Sequence, residues 1–304
     1  MNILSFNHPL DNLEPPEIVN TVVESRPVYS YGTGQHNLED RWKSIHVVGN
    51  NKAINVCRST YNFEGAQYRD VYNTLVDICK ASGINCRGVK VSSEMSPDGA
   101  RGYIGFTFPS ETVETGRGDT TSLELTALNS FDGSWPVKYI FGGNRSICTN
   151  KQVFMDTVSF YSGRHTKNLN LSRAKEKMKE CIAAYHKESE RWIRWKDNSI
   201  TDKEAIKVFA KVSNCKFVLE NPDKNPNEIF AETEVRRNRA FNNLWSQYTT
   251  ERNTLGSNHW AVYNAMTHWA THGSFGKKTN ENNILKLRQS RFDSVQNNLN
   301  LLAA

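Results

Sequence analysis

The sequence predicts an α+β fold in which antiparallel β-hairpins of the N-terminal half, ordered hairpin, helix, hairpin, hairpin, pack against a mostly helical C-terminal half. Three observations carry this. Alternating apolar residues flank turn-forming clusters through the first 150 residues, the apolar period lengthens to helical spacing from Lys151 onward, and the stretch Leu123–Asn150 joins the two regimes. A chain of 304 residues with 38% hydrophobic and 11% aromatic content can bury a sizeable core. Residues 1–40 read as an N-terminal arm, 41–150 as a β-rich part, and 151–304 as a helical part integrated with it in one domain.

The arm carries Pro9, Pro15, Pro16, Pro27, Gly32 and Gly34 and shows no sustained period. The first hairpin spans Trp42 to Cys57: Ile45 and Val47, then Ile54 and Val56, alternate around Gly49-Asn50-Asn51. Ser59 to Glu64 then offers hydroxyl and amide caps to a helix with Tyr68, Val71, Tyr72, Leu75, Val76 and Cys79 at helical spacing, ended by Gly83. The second hairpin, Val89–Met95 with Tyr103–Phe108, turns through Ser96-Pro97-Asp98-Gly99, where Pro presets φ and Gly accepts positive φ. Thr112 to Thr121, rich in Gly, Thr and charge, predicts a flexible loop. In the third hairpin, Leu123, Leu125 and Ala127 face Val137, Tyr139 and Phe141 across Asn129–Ser134.

Beyond Lys151 the pattern predicts one long amphipathic helix over Asn168–Trp195, or two broken near Ser189. A helix capped by Thr201-Asp202 runs through Val212, a break covers Pro222–Pro226, and Glu228–Thr250 is helical again. Ser257-Asn258 to His272 forms a compact helix ended by Gly273, and Glu281–Leu302 a terminal one.

The net charge of +6 is unevenly divided. Residues 1–134 hold 11 Lys/Arg against 16 Asp/Glu, a balance of −5, whereas residues 135–304 hold 27 against 16, a balance of +11. A basic half joined to an acidic one suggests a polyanion-facing surface on one side, with solvated helix faces as the alternative. Cys57, Cys79, Cys86, Cys148, Cys181 and Cys215 are scattered without a Cys-x-x-Cys pair or zinc-finger spacing, which points to a reduced cytoplasm. Met1–Ser5 lacks the pattern of a signal sequence and no apolar run reaches membrane-spanning length, so the expectation is a soluble cytoplasmic protein with no membrane partner.

Enzyme chemistry finds little support in these residues. There is no Gly-Lys-Ser/Thr loop and no dinucleotide-binding glycine fingerprint. His268 and His272 lie four apart on one predicted helix, yet no Glu follows His268 as a zinc-protease motif demands, and His272 suits a helix C-terminus. Cys148 lacks a recognisable base. Asp132 and Arg145 are placed to pair across the third hairpin, although Asp132 also suits a turn and Asn150 a helix cap. No catalytic residue, metal or cofactor is assigned.

Nucleic-acid binding draws on other residues. Cations track phosphates while aromatic faces stack on bases. Arg191-Trp192-Ile193-Arg194-Trp195-Lys196 has that composition, although Trp192 and Trp195 at helical spacing equally suit a core. The predicted interface comprises Lys138, Arg145, Lys151, Arg164, Lys167, Arg191, Trp192, Arg194, Trp195, Arg236, Arg237 and Arg239, beginning on the second strand of the third hairpin and continuing onto the helices.

Between Trp42 and His272 the chain resembles a family of phage and plasmid-like proteins with a domain of unknown function. The resemblance rests on Asn129-Ser130-x-Asp132-Gly133-Ser134 followed by Arg145-x-x-Cys148-x-Asn150, on Tyr61 with Gln67, on Arg164-His165-Thr166, and on Asn264-Ala265-x-Thr267 followed by His272. Phe131 stands where His is common and Trp269 where Tyr is common. The resemblance implies a phage or mobile-element origin, a host-cell cytoplasmic setting, and a shared polar set of Asn129, Asp132, Arg145, Asn150, Asn264, Thr267 and His272. The mixed plan is distantly similar to ring-forming single-strand-annealing proteins, an analogy of fold alone. The expected function is a non-enzymatic DNA-binding protein of replication or recombination, single strands preferred, with self-association and a host protein as further partners. The alternative is a host-directed inhibitor whose acidic surface around Glu111, Glu114 and Asp119 mimics nucleic acid.

Overall fold

The computed structural model describes residues 8–32, 35–116, 119–145, 151–153, 161–171, 173, 178–276 and 279–302. Within them the α+β plan holds: two antiparallel sheets precede a helical half. Strands β1 (Val23–Gly32), β2 (Gln35–Val47) and β3 (Asn55–Arg58) form a three-stranded sheet in that order. Strands β4 (Lys90–Met95), β5 (Arg101–Gly116), β6 (Asp119–Ser130), β7 (Val137–Arg145) and β8 (Lys151–Val153) form the second sheet in sequence order, with β9 (Tyr161–Gly163) also on β7.

Helix α1 (Tyr68–Ser82) lies between the sheets in sequence and ends on Gly83, whose φ of +74° is the left-handed cap a side chain resists. Its inner stripe includes Val71, Leu75 and Ile78, and Tyr72 meets Phe106 of β5 edge-on at 5.8 Å. Ile104, Phe106 and Phe108 of β5 stand opposite Ala127, Leu125 and Leu123 of β6, all buried, which makes this face of the sheet the centre of the core. The turn before β5 needs Gly99, at φ +73° with its backbone against Val47.

In the helical half, α2 (Met178–Asp197) docks on the sheet through Tyr185, whose hydroxyl donates to the carbonyls of Glu111 and Thr121. There follow α3 (Asp202–Ser213), α4 (Lys216–Glu220), α5 (Pro226–Ala231), α6 (Thr233–Arg237), α7 (Arg239–Leu255), α8 (His259–His272) and α9 (Ile284–Asn297). Thr201 and Asn258 cap α3 and α8 through their side chains. Every residue from Trp260 to Thr267 is buried, so α8 is the central helix of this half.

The structure corrects several boundaries. Residues 23–32 are not an arm: they pair along β2 in a long hairpin, and Pro27 sits on the outer strand, beside a register shift between Pro27 and Tyr29. The segment 112–121 is mostly strand, since Thr112, Val113 and Glu114 of β5 pair with Ser122, Thr121 and Thr120 of β6. Beyond Lys151 two short strands come first, and Asn168–Leu171 lies in turns ahead of α2, which passes Ser189 unbroken. The helix expected over 228–250 is three helices, because Asn238 leaves helical geometry between α6 and α7: its N–H donates to the Glu234 and Val235 carbonyls and closes α6, while its side chain accepts from the Phe241 N–H and caps α7.

Candidate functional site

The family-type residues gather at two places. The first is the turn from β6 to β7. Ser130 Oγ donates to the Trp135 carbonyl at 2.8 Å and accepts its N–H at 3.1 Å, closing the turn. Inside it, Asp132 accepts from the backbone N–H and the hydroxyl of Ser134 and is paired with the guanidinium of Arg101. Arg101 Nε also donates to Ser134 Oγ at 2.9 Å, and its Nη1 to the Asn282 carbonyl ahead of α9. Asp132 therefore pairs with Arg101, not with Arg145.

Three distant segments close on that turn. Tyr61 donates its hydroxyl to the Ser130 carbonyl at 3.2 Å, Asn129 Nδ2 donates to the Ala66 carbonyl at 2.6 Å, and the Asn62 N–H donates to the His165 carbonyl at 2.9 Å. Gln67 grips β1 by accepting from the Val23 N–H and donating to its carbonyl. Phe131 is wholly buried, edge-on to Phe63 at 5.8 Å and Tyr68 at 5.1 Å. The His165 ring lies 5.2 Å from that of Tyr61, and burial lowers its pKa to about 4. Burial likewise pushes the Tyr61 phenol up.

The second place joins sheet to helices. Arg145, 1% exposed, donates through Nε to Asp119 at 2.6 Å and through Nη1 to Glu251 of α7 at 2.8 Å. Trp260 Nε1 reaches Asp119 at 3.4 Å, and Gln247 donates to Glu251 at 3.0 Å. One turn along α8, Asn264 Nδ2 donates to the Trp260 carbonyl, and Thr267 Oγ1 to the Asn264 carbonyl; both residues are fully buried. His272 is exposed at the helix end with its ring 5.1 Å from that of His268, whose pKa is lowered by burial and then by His272.

These residues share no single open cleft. Asn129 and Asp132 hold a turn, Arg145, Asn264 and Thr267 lie at an interior junction, and His272 is at the surface. Asn150 and Cys148 lie outside the described residues. Among the described residues no group of three His, Cys, Asp or Glu is placed to hold a metal ion.

The nucleic-acid set divides by exposure. Trp192 and Trp195 are buried, Trp192 against Tyr185 and Trp260, Trp195 against Tyr263, so neither presents a face to a base. Arg145 is withdrawn from the surface, and Arg191 is half-buried and paired with Glu188. Lys138 is half-buried on β7, and Lys151 stands in β8 with its side chain outside the described residues. Arg164, Lys167, Arg194, Arg236, Arg237 and Arg239 are exposed, and among the described residues none of the six forms an ion pair. The acidic surface is also altered, since Asp119 is buried against Arg145, Glu111 is half-buried and only Glu114 is exposed.

Sequence reasoning missed an aromatic at a useful place. Trp42 of β2 is 44% exposed and stands opposite Arg58 of β3 in the ladder. Its signal was present, an aromatic at the start of an alternating run beside a cation, but burial and exposure of such a ring read alike in sequence.

The family model described as Domain of unknown function (DUF932) matches residues 54–296. No curated protein and no solved structure matches the chain.

Proposed function

The chain belongs to the DUF932 family, and we propose that it is a phage-type DNA-binding protein that prefers single strands and works in replication or recombination, in an annealing-like role, in the host cytoplasm. The observation that carries this reading is the set of six exposed cations without ion-pair partners among the described residues, all in the half of the chain with a balance of +11. Exposed arginines held away from carboxylates keep their capacity for phosphate, whereas those already paired, such as Arg101 and Arg145, have surrendered it. Trp42 beside Arg58 supplies the stacking face and adjacent cation that favour an unpaired base over a duplex.

Fluorescence anisotropy with labelled single- and double-stranded oligonucleotides of the same sequence tests the reading. Engagement of all six cations gives a slope of log affinity against log salt of about −4 for single strands. Binding of the single strand at low salt, with weaker binding of the duplex, supports the proposal. No binding at low salt overturns it.

A further inference from the structure

The outer end of the β1–β2 hairpin is unlike the rest of the surface. Every residue from Tyr29 to Trp42 with a described exposure is exposed except half-buried Glu39. Tyr29 stands opposite Leu38 and Tyr31 opposite His36, so the four side chains share one face; Tyr29, Tyr31 and Leu38 are 55%, 73% and 54% exposed. The ladder shifts register between Pro27 and Tyr29, which sets this outer end off from the base of the hairpin, where Val23 is buried. Beyond the base of the hairpin the two tyrosine rings and Leu38 stand exposed on one face. A cluster of large apolar side chains on a projecting element marks an interaction surface.

The chemistry of the tip selects the partner. Residues 29–42 carry Glu39 and Asp40 against one cation, Arg41, a balance that suits a basic protein surface better than a phosphate backbone. Pro27 blunts the free edge of β1, which disfavours strand-to-strand pairing and leaves the side-chain face as the contact.

A matching surface lies on the helical half. A cleft of about 360 Å³ between α3 and α4 is lined by Val208, Val218 and Leu219 together with Lys207 and Lys211, against one carboxylate, Glu204, which is engaged by the N–H and hydroxyl of Thr201. Its apolar walls suit a tyrosine and a leucine, and its two lysines suit Glu39 and Asp40. We propose that the hairpin tip of one copy docks into the α3–α4 cleft of a second copy, a head-to-tail contact between different surfaces of the same chain. Such contacts propagate into rings or filaments because an open assembly always keeps one free tip at one end and one free cleft at the other.

Complementation tests this with the full chain, free of DNA, by sedimentation velocity over a micromolar concentration range. The wild type is expected to exceed the monomer mass in a concentration-dependent way. Tyr31→Ser with Leu38→Ser on the tip, and separately Leu219→Asp with Lys211→Glu in the cleft, alter exposed side chains and each weaken association at least about tenfold. An equimolar mixture of the two variants then stops at two chains, since only one intact tip and one intact cleft can meet. A monomeric wild type overturns the proposal, as do variants that retain the wild-type mass. A mixture that stays monomeric overturns the head-to-tail geometry in favour of tip-to-tip contact. Loss of oligonucleotide binding by the tip variant with its mass unchanged assigns the tip to DNA instead, and also overturns it.

Discussion

Replacing Arg145 separates an interior role from a surface one. The Arg145→Ala protein retains Asp119 and Glu251, whose carboxylates are 1% and 7% exposed, and removes the guanidinium between them. Breaking a buried ion pair by deleting one partner costs about 3–5 kcal/mol, because the remaining charge is left without compensation. Domains are stable by roughly 5–15 kcal/mol, so this is a large fraction of the total. Urea unfolding followed by tryptophan fluorescence reads the change directly. With a denaturant slope of about 2–3 kcal/mol per molar, the midpoint falls by more than about 1 M. Arg145→Lys restores the charge without the planar fork that reaches both carboxylates, and its midpoint is expected between the two. Single-strand affinity at a temperature where the variants remain folded is expected to equal the wild type's. An unchanged urea midpoint together with weakened DNA binding would refute the reasoning, since it would place Arg145 at the surface.

Further outcomes follow from the turn and its neighbours. His165 has a folded-state pKa of about 4 against an unfolded value near 6.5, so the unfolded chain binds the proton first as pH falls. Its contribution is fully present above about pH 6.5 and is lost as pH drops toward 4, about 3 kcal/mol in all, measured as the difference in pH dependence of unfolding between wild type and His165→Gln. Tyr61→Phe removes the hydroxyl that donates to the Ser130 carbonyl and is expected to cost about 1 kcal/mol by the same denaturation assay. Gly99→Ala places a Cβ 2.6 Å from Val47 Cγ2 at a φ of +73°; thermal unfolding is expected to show a loss of about 1–3 kcal/mol.

What was legible in sequence were elements with local punctuation. Gly83, Thr201, Asn258 and Gly273 each mark a helix end by a mechanism confined to a few residues, and the helices end where they indicate. Ser96-Pro97-Asp98-Gly99 likewise fixes its own turn. Strand β1 was illegible because Pro27 interrupts the run and its outer residues alternate without being buried, so periodicity had no contrast to read. The outer ends of β5 and β6 were lost for a different reason: the positions they bury are Thr115, Asp119 and Thr121, so the alternation is carried by polar residues that give no apolar contrast. At the sites, the convergence of Tyr61, Asn129 and His165 requires contacts across more than sixty residues, and Arg145 finds one of its carboxylates 106 positions away. Trp192 and Trp195 carried two readings, and only their packing against Tyr185, Trp260 and Tyr263 decides for the core.

The central claim is that exposed arginines of the helical half track the phosphates of a single strand. Neutralising Arg236, Arg237 and Arg239 together as glutamines leaves the interior untouched, since all three are exposed. The account predicts an unchanged melting temperature, weaker binding to a labelled single strand, and a salt slope reduced by about 2 from the wild-type value. Affinity and slope equal to the wild type's would contradict it.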